Sequence, residues 1–257
     1  MPTEKLLIIN SRDKISGSNT DFRVQMNDSI SQEVLKIIVK EVYIPNQFYN
    51  VESEGKRKNN TIVLNQNGLG EVSAIIIEGQ YNIDSLIVAL KSAIDAILVD
   101  GAIVTITKNN TTNKLTFTFT GSATIANNNV SFIDTSLIKS LLGFDTTIPQ
   151  ATVLNMPYSW NLNELQYVQV HSPELASTHG MDAGANTTIN LLETVSLTSA
   201  GFGGVAYKQS NDDELHEILY DDQRVLQQIR IKLRDSDGNI LSLPPNHHCT
   251  IIVKAYF

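Results

Sequence analysis

The residue types with the most reactive side chains stand together near one end of the sequence, where His247, His248 and Cys249 are consecutive. A zinc site needs three or four such ligands, with the members of a pair separated by intervening residues. Neighbouring residues of a strand point to opposite faces, so the two histidines are poorly placed to share one ion. Cys249 precedes a run of Ile and Val, and a thiol buried among such residues is inert. We therefore expect neither a metal site nor a nucleophile here.

Two glycine-containing turns resemble ligand-binding loops only superficially. The segment GFGG at residues 201–204 lacks the Lys-Ser/Thr pair, the glycine spacing and the following helix of a phosphate-binding loop. The segment DSDGN at residues 235–239 has its glycine at the fourth position, whereas an EF-hand calcium loop needs Gly at the sixth and Glu at the twelfth. We interpret the first segment as a loop between two strands and the second as a tight hairpin turn.

Two charged clusters are open to a functional and a structural interpretation. The basic cluster at residues 56–58 could contact phosphate, but Glu52 and Glu54 stand beside it and the chain carries a net charge of −8, which disfavours nucleic-acid binding. The acidic cluster could hold a cation or a basic partner. We interpret both clusters as solvated loops. The acidic residues are Asp212, Asp213, Glu214, Glu217, Asp221 and Asp222.

The composition indicates a β protein that folds in a reducing compartment. The 257 residues are 42% hydrophobic and only 18% charged, and Asn, Thr and Ser fill the difference, which suits turns and strand surfaces. One cysteine allows no internal disulfide. The first residues contain only four consecutive apolar side chains, too few for a signal peptide or an anchor. We expect no membrane span.

Alternating apolar and polar residues predict strands along most of the chain. The segment at 10–20 is expected to be a polar loop, and Pro45 is expected to end the longest strand. Strands are predicted at residues 5–9, 21–26, 34–44, 59–65, 164–171, 189–197, 225–234, 240–243 and 249–257.

One stretch has the periodicity of a long helix. Asn82 is a good N-cap and Asp84 stands in the first turn, where a carboxylate suits the helix dipole. The side chains on the other face are polar (Asp84, Lys91, Ser92 and Asp95), so the helix should lie on a sheet. The apolar stripe consists of Ile83, Leu86, Ile87, Leu90, Ile94, Ile97 and Leu98.

The segments around this helix predict a small α+β subdomain. A strand at 72–77 precedes the helix, a hairpin of 103–107 with 114–120 follows it, and a short helix at 135–142 begins after Asp134 and ends at Gly143. The order is β-α-β-β-α. We predict a mainly β protein in which strands precede and follow this compact α+β unit.

The order of these segments resembles the penton, or minor capsid, proteins of virophages, polinton-like elements and related large DNA viruses of eukaryotes. The resemblance covers most of the chain. Its most specific pieces are GQYNIDSLIVAL, LLGF and IRIKLRDSDGN. The other matching segments are NSRDKISGSNTDFRVQM, VKEVYIPNQFYNV, TNKLTFTFT, LQYVQVHSPELA and IIVKAYF.

The resemblance implies a structural virion protein with a single jelly-roll β-sandwich at residues 1–71 and 148–257 and an inserted α+β unit at 72–147. Five copies of such a protein close the fivefold vertex of an icosahedral capsid. The implied partners are other copies of the chain, trimeric double jelly-roll major capsid proteins and, through the insertion, a spike or a host receptor. It implies no direct contact with nucleic acid, synthesis in the host cytoplasm or a viral factory, and neither enzymatic activity nor a cofactor. The N-terminal residues 1–20 are either an arm that reaches neighbouring capsid proteins or an ordered edge strand.

Two other functions remain open. A receptor- or glycan-binding spike or fibre head could stack sugars on exposed aromatic residues. Tyr and Trp also occur half-buried in any β-sandwich, so the residue types alone do not decide. A hydrolase would need convergent carboxylates, for which Glu164, Asp182 and Glu193 are scattered candidates. We predict no catalytic, cofactor-binding or metal-binding residues. The aromatic candidates are Tyr158, Trp160, Tyr207 and Tyr220.

Overall fold

The computed structural model of the chain forms two compact units, Met1–Phe48 with Leu165–Phe257, and Tyr49–Glu164. It describes residues 3–26, 34–55, 57–66, 69–99, 101–121, 129–163, 165–176, 180–182, 187–198, 200–209, 217–224 and 226–257. Within these ranges only the backbone is described at 180–182, 187–189, 217 and 219–224.

The secondary structure is dominated by strands. In chain order the elements are β1 (Glu4–Asn10), a 3-10 turn (Ser11–Asp13), β2 (Lys14–Gly17), β3 (Asp21–Gln25), β4 (Val34–Pro45), β5 (Thr61–Gln66), β6 (Gly70–Ile75), α1 (Ile83–Asp95), β7 (Ile103–Asn109), β8 (Lys114–Thr120), β9 (Val130–Phe132), α2 (Lys139–Leu142), β10 (Ile148–Ala151), β11 (Val153–Asn155), β12 (Tyr167–His171), β13 (Gly180–Asp182), β14 (Thr187–Ile189), β15 (Leu191–Ser196), β16 (Val205–Gln209), β17 (Glu217–Arg224), β18 (Gln228–Arg234) and β19 (Thr250–Tyr256).

The first unit contains two five-stranded sheets that share one hydrophobic core. The first sheet has the order β1-β19-β4-β16, and β17 pairs with the other end of β4. The second sheet has the order β15-β12-β18-β3-β2. Alternate residues of both sheets, such as Ile251 and Val253 in β19 and Ile229 and Ile231 in β18, enter the same core cluster. Two sheets that bury alternate side chains against each other form a β-sandwich.

The mainly β prediction is confirmed, but two segments of this unit differ from the sequence-based expectation. The polar stretch 10–20 is not a plain loop, because Ser11–Asp13 forms a 3-10 turn and Lys14–Gly17 pairs with β3. The acidic stretch is not wholly a solvated loop, because Glu217–Arg224 pairs with β4. A third small sheet, made of β13 and β14, lies between β12 and β15 in chain order.

The second unit has its own core between two smaller sheets and helix α1. One sheet has the order β10-β9-β5-β6 and the other β11-β8-β7. Three phenylalanines pack around Phe132, with the rings of Phe117 and Phe132 4.7 Å apart and nearly perpendicular. Such edge-to-face contacts add to the stabilisation that comes from apolar burial.

Helix α1 begins and buries its apolar face as the sequence predicts. The side chain of Asn82 accepts a hydrogen bond from the backbone N–H of Ser85, and the Ser85 hydroxyl accepts one from the N–H of Asn82, which is a reciprocal capping box. Leu86, Leu90 and Ile94 are fully buried. On the opposite face, Asp95 accepts a hydrogen bond from the N–H of Val104 at 2.7 Å, which joins the helix to β7.

From β6 to α2, this unit contains one more strand than the predicted order β-α-β-β-α. A further strand, β9, lies between the hairpin and α2, so the order from β6 to α2 is β-α-β-β-β-α. Asp134 does not cap α2, which starts after Ile138 without a side-chain cap, whereas Gly143 ends it in the left-handed conformation at φ 85°. The predicted limits 72 and 147 both fall inside the unit, since β5 pairs with β6 and β9 pairs with β10 across them.

Candidate assembly surfaces

The single thiol is a core group. Cys249 has no exposed surface, and burial raises the pKa of its thiol to about 12. Its backbone N–H donates a hydrogen bond to the hydroxyl oxygen of Ser11 at 3.1 Å. A neutral thiol without access to solvent does not act as a nucleophile.

The two histidines belong to the same structural contacts. The Nδ1 atom of His248 lies 3.3 Å from the Ser11 hydroxyl, and burial together with the cations Arg12 and Lys14 lowers the pKa of His248. The backbone carbonyl of His247 accepts a hydrogen bond from the Asn19 amide at 2.9 Å. Within the described ranges, no three His, Cys, Asp or Glu side chains lie close enough together to hold a metal ion.

Asn19 is a structural residue that the sequence analysis did not single out. Its buried amide nitrogen lies within hydrogen-bond distance of three backbone carbonyls, and its carbonyl oxygen accepts a hydrogen bond from Lys14 Nζ at 2.7 Å. A buried polar group is stable only when it is paired in this way. The three carbonyls belong to Pro244, Pro245 and His247.

Both glycine-containing segments are structural turns. Residues 201–204 connect β15 to β16, and Gly203 donates its N–H to the carbonyl of Asn46 at 2.9 Å. In the DSDGN turn the Asp235 carboxylate accepts hydrogen bonds from the N–H groups of Asp237 and Asn239. The hairpin-turn prediction is confirmed by the bridge between Arg234 and Ile240. The Asp235 carboxylate therefore stabilises the turn.

Of the basic cluster, Lys56 lies outside the described residues. Arg57 forms an ion pair with Glu52 at 2.7 Å, in which both side chains are largely buried. This arginine therefore pairs with a carboxylate of its own unit. In the acidic run, Asp212, Asp213 and Glu214 lie outside the described residues.

The aromatic and carboxylate candidates are divided between the two units. In the second unit, Trp160 packs against the core and Tyr158 is 55% exposed. Tyr207 lies in the first unit, with its ring 4.8 Å from that of Tyr43. Glu193 is buried and forms an ion pair with Lys208 at 2.6 Å. Glu164 and the side chains of Asp182 and Tyr220 lie outside the description.

The outer face of the first sheet carries exposed apolar residues on an edge strand. Strand β1 pairs only with β19 among the described strands, and Leu6 and Ile8 are 60% and 63% exposed. Residues 4–10 thus form an ordered edge strand, as one of the two interpretations predicted. An edge strand with exposed backbone groups and apolar side chains is suited to contact another protein.

The outer face of the second sheet is cationic. Arg23, Arg230, Lys232 and Arg234 alternate with core residues of β3 and β18, and Arg23 stands opposite Arg230 in the register. Arg230 holds Asp21 through two hydrogen bonds of 2.7 Å, and this contact lowers the pKa of Asp21. The two sheets therefore present surfaces of different chemistry to their surroundings.

The described residues define a two-sheet β-sandwich protein that carries a separate α+β unit and has chemically distinct sheet surfaces. No helix in the described part of the chain is long and apolar enough to cross a membrane. No family model matches the sequence, and no curated protein shows significant sequence similarity to it. Among solved structures, the chain is similar to the penton protein of mavirus, with a TM-score of 0.52 and 11% sequence identity. The match covers 98% of this chain and 99% of that protein, so the two share a fold along their whole length.

Proposed function

We propose that this chain is a structural virion protein, a penton that forms the fivefold vertex of an icosahedral capsid as a homopentamer. The observation that carries the proposal is the full-length likeness to the mavirus penton protein, which covers 98% of this chain. A protein whose two sheet surfaces differ in chemistry is suited to work through contacts with other copies.

In this proposal the first unit is a single jelly roll and the second unit is its insertion. Both five-stranded sheets and their shared core lie in one unit. Two segments of the chain form this unit, Met1–Phe48 and Leu165–Phe257. The predicted insertion at 72–147 corresponds to the inner part of Tyr49–Glu164. The proposal gives the chain no catalytic, cofactor-binding or metal-binding residue.

The proposed partners follow from the vertex position. Trimeric double jelly-roll major capsid proteins would surround the pentamer, and the exposed edge strand with Leu6 and Ile8 offers them a surface for contact. The insertion would contact a spike or a host receptor. The protein would be made in the host cytoplasm or a viral factory and reside in the virion, without a membrane span or direct contact with nucleic acid.

The solution mass of the purified chain tests this proposal. Light scattering behind a sizing column, at two protein concentrations, is expected to give a species near five times the chain mass of 28.4 kDa. A trimer would contradict the proposal and favour a fibre or spike head, which binding to a glycan array would then test. A monomer under every condition would also contradict self-assembly.

A further inference from the structure

Two arginines stand directly opposite each other on the outer face of the second sheet. In the register of β3 and β18, Arg23 pairs with Arg230. Side chains in directly opposite positions have Cβ atoms about 5 Å apart, and like charges at such positions destabilise a sheet. An anion that lies close to both guanidinium groups relieves this repulsion.

The carboxylates near this pair are engaged by only one of its members. Asp21 accepts hydrogen bonds of 2.7 Å from Nε and from Nη2 of Arg230, and this contact is the main cause that lowers the pKa of Asp21. Glu174 accepts a hydrogen bond from the backbone N–H of Arg230 at 3.0 Å. Arg23 is exposed and has no salt-bridge partner among the residues that the structure describes. Its charge is therefore available to an external anion.

A depression lies beside the two arginines. Ser16 pairs with Arg23 in the register of β2 and β3, so Ser16, Arg23 and Arg230 form one row across three strands. Gly17 has a φ of 94°, and a Cβ at this position would lie 2.1 Å from the backbone oxygen of Asp21. No side chain can therefore fill the depression from this position. The residues that line it are Ser16, Gly17, Asp21, Phe22, Arg23 and Arg230.

The donors in this row suit a sulfate or phosphate ester group. A guanidinium group presents its N–H donors in a fixed fork, which matches the paired oxygens of an oxyanion. The side chain of Arg23 has no hydrogen-bond partner in the described part of the chain, so its whole fork can meet a ligand. The exposed hydroxyl group of Ser16 adds one further donor.

Further cations continue from this row along β18. Lys232 and Arg234 follow Arg230 on the same face at intervals of two residues, which is about 7 Å along a strand. Lys232 has no salt-bridge partner within the described ranges. Burial is the main cause that lowers the pKa of His171 to about 4, and the charges of Arg234 and Lys232 contribute to it. A chain that carries several anionic groups can therefore contact the depression and these cations together.

The surroundings favour a sulfated polysaccharide over a nucleic acid. Next to the arginine pair, the exposed side chains of Gln25 and Gln228 stand opposite each other, and the Gln228 amide donates a hydrogen bond to Gln25 at 3.0 Å. Exposed amides can also bind sugar hydroxyl groups. A DNA duplex carries a charge about every 1.7 Å and would extend from this face over the rest of a chain whose net charge is −8. A short sulfated saccharide can bind within the face.

We propose that the row of Ser16, Arg23 and Arg230 binds a sulfate group of a sulfated polysaccharide, and that Lys232 and Arg234 bind further sulfate groups of the same molecule. Clusters of Lys and Arg bind heparin through such charge pairing. The site lies within the first unit and does not depend on the pentamer. In a vertex protein it would attach the virion to sulfated glycans at a cell surface.

The test measures the binding of a heparin oligosaccharide to the purified full chain by isothermal titration calorimetry. The variants are Arg23→Gln and the combination of Arg23→Gln with Lys232→Gln. Arg230 stays unchanged, because its contact with Asp21 belongs to the fold. The matched control combines Lys58→Gln with Lys139→Gln in the second unit, which changes the net charge by the same amount as the combined variant.

We expect Arg23→Gln to weaken binding about tenfold and the combined variant about a hundredfold at low salt, because each change removes a charge-assisted contact. The control should bind like the original chain. Arg23→Lys keeps the charge without the fork, so it should lose less affinity than Arg23→Gln. Affinity should fall between about 50 mM and about 300 mM salt, as screening grows. Circular dichroism and the melting temperature of each variant show that it is folded.

Several results would overturn the inference. These are no binding by the original chain, equal binding of a desulfated oligosaccharide, and equal binding by the combined variant. A DNA oligonucleotide of the same charge is the competing ligand. If it binds as tightly as the saccharide and depends equally on Arg23, the face is a nucleic-acid site and the inference is overturned.

Light scattering on the same samples separates this inference from the proposed function. A pentamer that does not bind the saccharide overturns the inference and leaves the vertex function standing. A monomer that binds it through Arg23 and Lys232 supports the inference and contradicts self-assembly. A pentamer that binds it through these residues supports both.

Discussion

The side-chain amide of Asn19 donates a hydrogen bond to the backbone carbonyl of His247 at 2.9 Å, although 228 positions separate the two residues. Together with the contacts to Pro244 and Pro245, it attaches the turn that precedes β3 to the loop that precedes β19. Prolines donate no backbone hydrogen bond, so Pro244 and Pro245 can offer only their carbonyls, and the Asn19 amide pairs with both of them.

Replacement of Asn19 should therefore destabilise the first unit. Asn19→Asp keeps the size of the side chain but removes the amide donor from three carbonyls in a buried site, and we expect a loss of about 1–3 kcal/mol in the free energy of unfolding. Urea denaturation measures the difference. The control is Asn110→Asp at an exposed turn, which should change stability little. Equal effects of the two substitutions would contradict the role of Asn19.

The thiol of Cys249 should react only after unfolding. Its pKa of about 12 makes the thiolate rare near neutral pH, and its side chain has no exposed surface. We expect a disulfide reagent at about pH 8 to modify the native protein at least about a thousandfold more slowly than the urea-unfolded chain. The chain has one cysteine, so the absorbance change reports this residue alone. Rapid labelling of folded protein would show that the first unit opens around β19.

The pH dependence of stability should contain a contribution from His171. Its pKa falls from an ordinary value near 6.5 to about 4, mainly because of burial and then because of Arg234 and Lys232. A lowered pKa in the folded state means that the stabilisation is complete above about pH 6.5 and is lost as the pH falls from there towards 4.

Comparison with His171→Gln isolates this contribution, since carboxylates that titrate in the same range are shared by both proteins. Between about pH 7 and pH 4.5 we expect the original chain to lose about 1–2 kcal/mol more than the variant. Urea titrations at several pH values measure the two slopes. Parallel slopes would mean that His171 titrates normally in the folded protein.

Helix α1 provides an internal comparison of buried and exposed apolar residues. Leu90 is fully buried against the core of the second unit, whereas Val88 on the same helix is 69% exposed. Leu90→Ala should cost about 2–5 kcal/mol through lost burial and a cavity, and Val88→Ala should change stability by less than about 0.5 kcal/mol. Thermal unfolding followed by circular dichroism gives both values. A large effect at Val88 would indicate that another surface covers this residue.

Local features of the fold were predictable from the sequence because their determinants lie within a few residues. The cap at Asn82, the apolar period of α1 and the end of α2 at Gly143 all depend on neighbours in the chain. The structure corrects Asp134, which has the right residue type for a cap but precedes a segment that turns before the helix begins. Residue type alone does not fix where the first helical hydrogen bond forms.

Features that depend on distant pairing were not predictable from one sequence. The acidic composition of β17 suggests a solvated loop, but pairing with the buried strand β4 makes it a strand. Likewise, the cationic face appears only when the register places Arg23 opposite Arg230. The alternation in β18 shows that its charged residues share one side, but not which strand lies beside it.

The hydrogen bond from the Asn50 amide to the carbonyl of Leu162 joins the first and last parts of the second unit at 3.4 Å, and the same amide also donates to Tyr81 at 2.8 Å. The segments at which the chain enters and leaves this unit are thus joined by the side chain of one residue, Asn50. A module closed in this way can be exchanged as a cassette: a foreign domain with adjacent ends could replace it without cutting any strand of the sandwich, which makes the position suited to display of an antigen or a targeting ligand.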